Sequence, residues 1–437
     1  MKRLPICAVL ATAMLASLPI AAQPIPTDAE LSALYSDLEP VYVDLHRHPE
    51  LSLHETRTAA LLAARLRAMG FDVTERVGKT GVVGVLKNGP GKTVMLRTEL
   101  DALPLEEKTG LADASRERTK NDDGVDVPVM HACGHDVHMT VWLGAATVLA
   151  RARERWSGTL VVIGQPAEER GMGAKAMLAD GLFTRFPRPE AVVALHDIPT
   201  LPSGTVGYTS GPALSSADSV DLVIYGKGGH GAHPETTVDP IVIAARTILA
   251  LQTLVSRENN PLDPAIVTVG SIHGGTKHNI ISDQVKLQLT VRAFREEVRQ
   301  RLLAGIERIA KAEAEAAGAP KAPEVKIVDV TSAVTVNDPP LTARVAATLR
   351  RALGDDRVRE IPPEMASEDF SEFGLAGVPS VMFRLGATEP RRFEQAQASG
   401  ESLPSLHSPF FAPDRKPTIE TGIRAETAVL LDLLKKP

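Results

Sequence analysis

Cysteine is scarce. The 437 residues hold two, and Cys7 falls in an N-terminal segment that reads as a leader. Cys133 is then the single cysteine of the remaining chain, which excludes an internal disulfide there. Such a thiol is either buried and inert or bound to something. Excess positive charge is also missing: 48 Lys and Arg against 54 Asp and Glu give a formal net charge of −6. No basic stripe is visible, so nucleic-acid binding has no electrostatic support. The glycine-rich run Gly226-Lys227-Gly228-Gly229-His230-Gly231-Ala232-His233-Pro234 has no Lys-Ser/Thr pair opening a helix after it, which excludes a phosphate loop. Internal repeats are absent.

The N-terminus has a short basic start (Lys2, Arg3), an apolar run from Ile6 to Ala22, and small residues before Gln23. This is the pattern of a secretory signal over residues 1–22, and it predicts export to a bacterial periplasm or beyond. The competing reading is a buried or membrane-anchoring helix, but the run is short for a span and is broken by Pro19. Loss of Lys2 and Arg3, two cations, would take the formal charge from −6 to −8. No stable membrane insertion is expected after signal removal.

Periodicity gives the architecture. The first helix is expected over Asp28–Arg47. A second is marked by Ala59, Leu62, Leu66 and Met69 and ended by Gly70. Val82–Leu86, Thr93–Leu96 and Thr159–Gly164 read as strands, Trp142–Arg155 as a helix, and Asp113–Asp126 as an exposed polar loop. This alternation argues for an α/β sheet with helices on both faces, whose functional residues collect at the carboxyl ends of strands. From Ser219 to Val328 the predicted order changes to βαββαβ, the ferredoxin-like α+β layer. The expected organisation is a discontinuous catalytic domain, residues 28–216 and 332–437, interrupted by an inserted domain at 217–331.

The chemistry concentrates in a few segments. Met130-His131-Ala132-Cys133-Gly134-His135-Asp136-Val137-His138 packs a thiol among imidazoles, the borderline-soft ligands of first-row divalent metals. Cys133 and His135 cannot both point inward from a regular helix or strand, whereas a turn at Gly134 lets them converge. A polar capping loop or a thiol nucleophile with a histidine base are the alternatives. Glu168 and Glu169 follow a strand directly, so one can bind metal while the other acts as general base; a solvated charge pair is equally open. His196 ends a short apolar strand and His407 lies near the C-terminus, and lone histidines are more often packing or surface residues. Asp101, after the strand Leu96–Leu100, is placed to orient a metal-bound histidine with its carboxylate.

Taken together, DLHRHPELS from Asp44, LDALP from Leu100, MHACGHDVH, QPAEE, GGHGAHP from Gly228, GGTKHNII from Gly274, SEDF from Ser367 and LHSP from Leu406 resemble the dinuclear-metal aminoacylase and carboxypeptidase family. The match is to its amidohydrolase branch of hippurate, auxin-conjugate and N-acyl-amino-acid hydrolases, and it spans nearly the whole mature chain. The resemblance implies a metallopeptidase-like catalytic domain with a lid or dimerisation insert. It implies two divalent ions per subunit, Zn or Mn, held by Cys133, His135, Glu169, His196 and His407. Glu168 would be the base, Asp101 its support, and His230 a group reaching a partner subunit's site in a homodimer. Asn279 and Arg292 would contact the substrate carboxylate.

The expected reaction is cleavage of a small N-acyl amino acid or similar amide by an activated water. A dipeptidase or exopeptidase, with Glu99 or Glu368 holding a substrate ammonium, and a metal-loaded binding protein are the other candidates. Two departures from the branch pattern occur. Thr98-Glu99-Leu100 stands where ADM is usual, and Ser282 where a proline is usual. Neither is expected to touch an implied ligand.

Overall fold

The computed structural model describes residues 26–436. The proposed leader, residues 1–22, lies outside them. Thr27 opens the first helix, Asp28–Arg47, with a reciprocal cap: its hydroxyl accepts from the Glu30 N–H, and the Glu30 carboxylate accepts from the Thr27 N–H.

An eight-stranded mixed sheet forms the frame. Its spatial order is Asp72–Val77, Gly81–Asn88, Gly158–Gln165, Thr93–Glu99, Ala191–Pro202, Ser380–Thr388, Val206–Tyr208 and Val358–Glu360. Thr93–Glu99 pairs in parallel with both Gly158–Gln165 and Ala191–Pro202, and Ser380–Thr388 runs parallel to Ala191–Pro202. Strands buried on both faces carry near-continuous apolar runs, and here alternate residues serve opposite cores. Val162, Leu96, Val193 and Phe383 meet the helices Asp28–Arg47, Thr56–Ala68, His135–Arg151, Pro339–Leu353 and Arg415–Leu433. Val161, Met95, Ala194 and Met382 face the shorter helices Gly173–Ala179, Leu182–Arg185 and Ser371–Leu375.

Between the halves of this frame lies a second sheet with a separate apolar core. Ser216–Tyr225, Ala265–Gly274, Gln284–Ala293 and Glu324–Ser332 form four antiparallel strands, with Gln284–Ala293 and Ser216–Tyr225 in the centre. Helices Pro240–Thr253 and Glu296–Ala316 complete the βαββαβ order. The segment Pro240–Glu258 is long and apolar enough to cross a membrane by length and composition. Its Ile243, Ala244, Leu251 and Leu254 are buried against Val220, Leu222, Leu287 and Leu289 in the sheet's core. The chain enters and leaves through an antiparallel ribbon, Gly211–Leu214 with Thr335–Asn337.

Three expectations need correction. The helix read as Trp142–Arg155 spans His135–Arg151. Its first turn is polar in type yet buried, so apolar periodicity conceals it. His196 does not end a short strand: Ala191–Pro202 continues six residues further because Ser380–Thr388 supplies partners through Pro202. The polar loop contains a hairpin, Arg118–Lys120 with Asp126–Pro128, bridged by Arg118 and Asp126.

Candidate active site

The four central parallel strands end on one side, and the loops beyond them gather the polar residues, as open α/β sheets do. Gly134 makes the first turn possible. It sits at φ +75° as the N-cap of His135–Arg151, and a Cβ there would lie 2.3 Å from the Asp197 carboxylate oxygens. Glycine alone fits, and the resulting turn brings Cys133 and His135 each within reach of Glu169. Two non-glycine residues in left-handed backbone also border the site, Ala167 (φ 50°) before Glu168 and His407 itself (φ 62°). Conformations of this kind persist where the surroundings over-determine them. For His407 the tie is its N–H, which donates to the Ala132 carbonyl at 2.9 Å.

Hydrogen bonds orient the imidazoles. His135 Nδ1 lies 2.7 Å from the Asp101 main-chain carbonyl, and His196 Nδ1 lies 2.7 Å from the Asp197 carbonyl. A carbonyl only accepts, so each Nδ1 carries a proton and Nε2 is the nitrogen left to face the site. His135 Nε2 is buried without a hydrogen-bond partner, as is Glu169 Oε1, and the two are 4.0 Å apart. His196 Nε2 lies 3.4 Å from Cys133 Sγ. His407 Nε2 lies 3.3 Å from the same sulfur and 3.3 Å from Glu169 Oε2. Two groups result, Cys133/Glu169/His407 and His135/Glu168/Glu169, each with its candidate ligand atoms within 4.8 Å of one another, and they share Glu169. Orphaned polar atoms converging in a buried pocket are what a divalent cation satisfies, so this donor set fits one.

Electrostatics divide the ligand candidates. Burial opposes protonation of His135, but Asp101, Glu99 and Glu169 outweigh it and push the imidazole up to about 10 where no cation replaces the proton. Burial, followed by the nearby Glu169 and Glu168, pushes the Cys133 thiol well above its ordinary value. Without a cation it stays protonated, which counts against a thiol nucleophile. Burial, helped by His138 and Arg384, holds His196 neutral, the form that ligates. Glu168 is pushed well above the carboxylate range by burial and then by Glu368, Glu169, Asp369 and Asp101. Its Oε2 sits 3.9 Å from His135 Nε2.

Asp101 faces His135 as expected, its carboxylate Oδ1 lying 3.6 Å from Nδ1, and it does more. Its main-chain carbonyl orients His135. Its carboxylate accepts from the Glu168 and Glu169 N–H groups, both at 3.1 Å, and from Ser52 at 2.6 Å, pinning the turn that carries both acids. Sequence reasoning also missed a fully buried hub, Arg97. It donates to Gln165, Glu368 and Asp369 and is paired with Glu99. Glu99 in turn lies 3.3 Å from His138 and belongs to one cluster with His135 and His196. The departure at Thr98-Glu99-Leu100 therefore does border implied ligands. The signal available was the strand itself: Arg97 and Glu99 alternate with Leu96 and Thr98 and so share a face.

A cleft of about 510 Å³ opens over these groups, lined among others by Cys133, Glu168, Glu169, His196 and His407. The inserted layer contributes Ala217, Ser219, Thr290 and Arg292. These positions alternate with the buried Val220 and Val291, so they lie on the sheet face opposite its helices. His230 and Asn279 are not brought there. They sit together on the exposed tip of the insert, where the Gly231 N–H donates to the Asn279 carbonyl.

A mixed α/β sheet that gathers a thiol, imidazoles and adjacent carboxylates in one cluster able to hold metal suits a metal-dependent hydrolase. Residues 95–407 match the model of peptidase family M20/M25/M40, and the chain belongs to that family. It is 38% identical over 347 residues to the hippurate hydrolase of Campylobacter jejuni, covering 79% of this chain and 86% of that one. It is 37% identical over 352 residues to thermostable carboxypeptidase 1 of Saccharolobus solfataricus, covering 80% and 85%. Among solved structures it resembles the YXEP protein of Bacillus subtilis, described as a dinuclear metal binding peptidase, with a TM-score of 0.72 and 29% identity over 91% of this chain and 98% of that one.

Gly134→Ala should lower bound divalent metal, measured by elemental analysis of purified protein. The left-handed backbone alone costs about 1–2 kcal/mol with a Cβ, and the methyl collides with Asp197. Wild-type metal stoichiometry in the variant would show that the turn does not need glycine.

Proposed function

We propose that this chain is an exported amidohydrolase that cleaves an N-acyl amino acid, or a similar small amide, into an acid and an amine. The observation that carries it is the pair of buried, unpartnered polar atoms, His135 Nε2 and Glu169 Oε1, facing each other beside Glu168. Cys133, His135, Glu169, His196 and His407 would hold two divalent ions, zinc or manganese. Those ions would supply Lewis-acid polarisation of the amide carbonyl and of the attacking water. Glu168 takes the proton from that water and returns it to the leaving nitrogen. Its raised affinity for protons suits both halves of the transfer. Asp101 keeps Glu168 and Glu169 in register through their N–H groups.

An acyl substrate is favoured over a free-amino dipeptide. Glu99 and Glu368, the acids available for an ammonium, are both buried and both paired with Arg97. A non-catalytic metal binder would have no use for a carboxylate placed like Glu168. Glu168→Gln should keep its metal and lose about two to four orders of magnitude in kcat on acyl-amino acids. Chelation should abolish turnover of the wild type. Near-normal kcat in Glu168→Gln removes that residue from the mechanism, and chelator-insensitive activity removes the metal.

The leader-like residues 1–22 support a periplasmic or secreted location. N-terminal sequencing of protein recovered from its native compartment should begin near Gln23; an intact Met1 would refute export.

A homodimer is the assembly we favour, because His230 lies exposed at the tip of the insert and does not line its own chain's cleft. There it would reach the partner's site, steadying the oxyanion or the substrate with Asn279. Mixing His230→Ala with Glu168→Gln subunits should restore activity that neither parent has, because one site per mixed dimer is then intact. If the insert instead closes over its own chain, mixing gives no recovery despite subunit exchange.

A further inference from the structure

Three arginines line the cleft. Arg170 is held by Asp122 at 2.7 Å, and the reaction accounts for one of the other two. Arg292, on the inserted layer, is the expected contact for the substrate carboxylate, and its Nη1 donates to the Met365 carbonyl at 2.8 Å. The other is Arg384, on the central strand Ser380–Thr388. In parallel register it stands beside His196, with the side-chain-less Gly207 on its other flank. Paired residues on neighbouring strands point to the same face, so Arg384 emerges next to a metal-ligand candidate, over the reacting end of the cleft.

The environment of Arg384 differs from that of the buried hub. Arg97 has four partners and no access to solvent. The Arg384 side chain is 9% exposed, and its nearest carboxylate is that of Glu364, with Oε2 3.5 Å from Nη2. At that separation the pair is a charge contact rather than a well-made hydrogen bond. Glu364 also lines the cleft and its side chain is 36% exposed, so it can swing into water. A nearly buried guanidinium with its fork open to the cleft is suited to bidentate capture of a carboxylate.

We infer that Arg384 forms a second anion subsite, selecting N-acyl amino acids that carry two carboxylates, with Glu364 as the resident counter-ion the substrate displaces. This rests on the amidohydrolase reading above. The second carboxylate can belong to the amino-acid side chain or to a dicarboxylic acyl group; both present the same chemistry to Arg384.

The test compares isosteric pairs on the metal-loaded enzyme: N-acetylglutamate against N-acetylglutamine, and N-succinylglycine against the half-amide of the same acyl group. Wild type should prefer the dianion in at least one pair, by roughly 10–100-fold in kcat/KM, the range of a charge-assisted bidentate contact. The responding pair identifies which side carries the anion. Arg384→Met should bring that ratio close to one, and Arg384→Lys should recover part of it. Glu364→Gln removes the competing carboxylate and should raise the ratio. A role in packing alone predicts no such rise.

Binding of the same compounds to Glu168→Gln, measured by calorimetry, reads the subsite without turnover. If the wild type hydrolyses none of the compounds, the proposed function fails, yet dianion-selective binding that Arg384→Met abolishes still upholds the subsite. Wild-type hydrolysis or binding with no dianion preference, or a ratio unchanged in Arg384→Met, overturns the subsite and leaves the hydrolase reading standing.

Discussion

One buried cation holds this active site together. Arg97 lies at the foot of the cleft with Gln165, Glu99, Glu368 and Asp369 around it. Those partners come from the strands Thr93–Glu99 and Gly158–Gln165 and from the segment before the helix Ser371–Leu375. Acidic groups crowded at the ends of parallel strands repel one another in a medium where each also loses its hydration. A guanidinium placed among them turns that repulsion into a rigid cluster. Removing one partner of such a group typically costs about 3–5 kcal/mol, because the remaining charges stay buried. Here the consequence reaches further, since Glu99 orders His138, and His138 contacts Asp197, whose carbonyl sets the tautomer of His196.

The same logic separates two kinds of acid. Glu99 is held well below the ordinary carboxylate range: burial opposes ionisation, but Arg97 and His138 outweigh it. Glu168 is only about one side chain away from this cluster yet is pushed the opposite way, by burial and by its neighbouring acids. Carboxylates driven apart in this manner mark the division between a structural anion and a proton carrier. The cleft therefore needs the saturated arginine, Arg97, as much as it needs the proposed ligands.

Most of the frame was legible because its signals are local. Asp28–Arg47 follows from its cap and its periodicity, and the βαββαβ order of the insert follows from alternation along Ser216–Tyr225 and Gln284–Ala293. The expected Cys133, His135, Glu169, His196 and His407 do converge, but their spacing in sequence left packing histidines and a capping loop open. What favours the ligand reading is non-local: two main-chain carbonyls, at Asp101 and Asp197, hold Nδ1 of His135 and of His196. Arg97 and Arg384 escaped notice for the same reason. Alternation puts Arg97 and Glu99 on one face of their strand, but what an arginine does there depends on what the neighbouring strands place beside it. His230 and Asn279 are close to each other, as their glycine-rich turns allow, but they lie on the insert's tip and not in the cleft.

The layout divides labour between the two layers. The proposed ligands and the base sit on loops and strands of the large sheet, tied to one another through main-chain groups that tolerate little change. The insert lines the cleft with Ala217, Ser219, Thr290 and Arg292, from strands whose opposite face is fixed by a separate apolar core. Its Ser219, Thr290 and Arg292 lie on the face away from that core. The two layers are joined by a short ribbon, Gly211–Leu214 with Thr335–Asn337. A substrate held by both layers must span that junction, with its amide over the large sheet and part of the remainder against the insert. Arg384 is the exception that gives this division its meaning. It lies on the large sheet, one strand from His196, so any charge it selects must sit close to the bond that is cut.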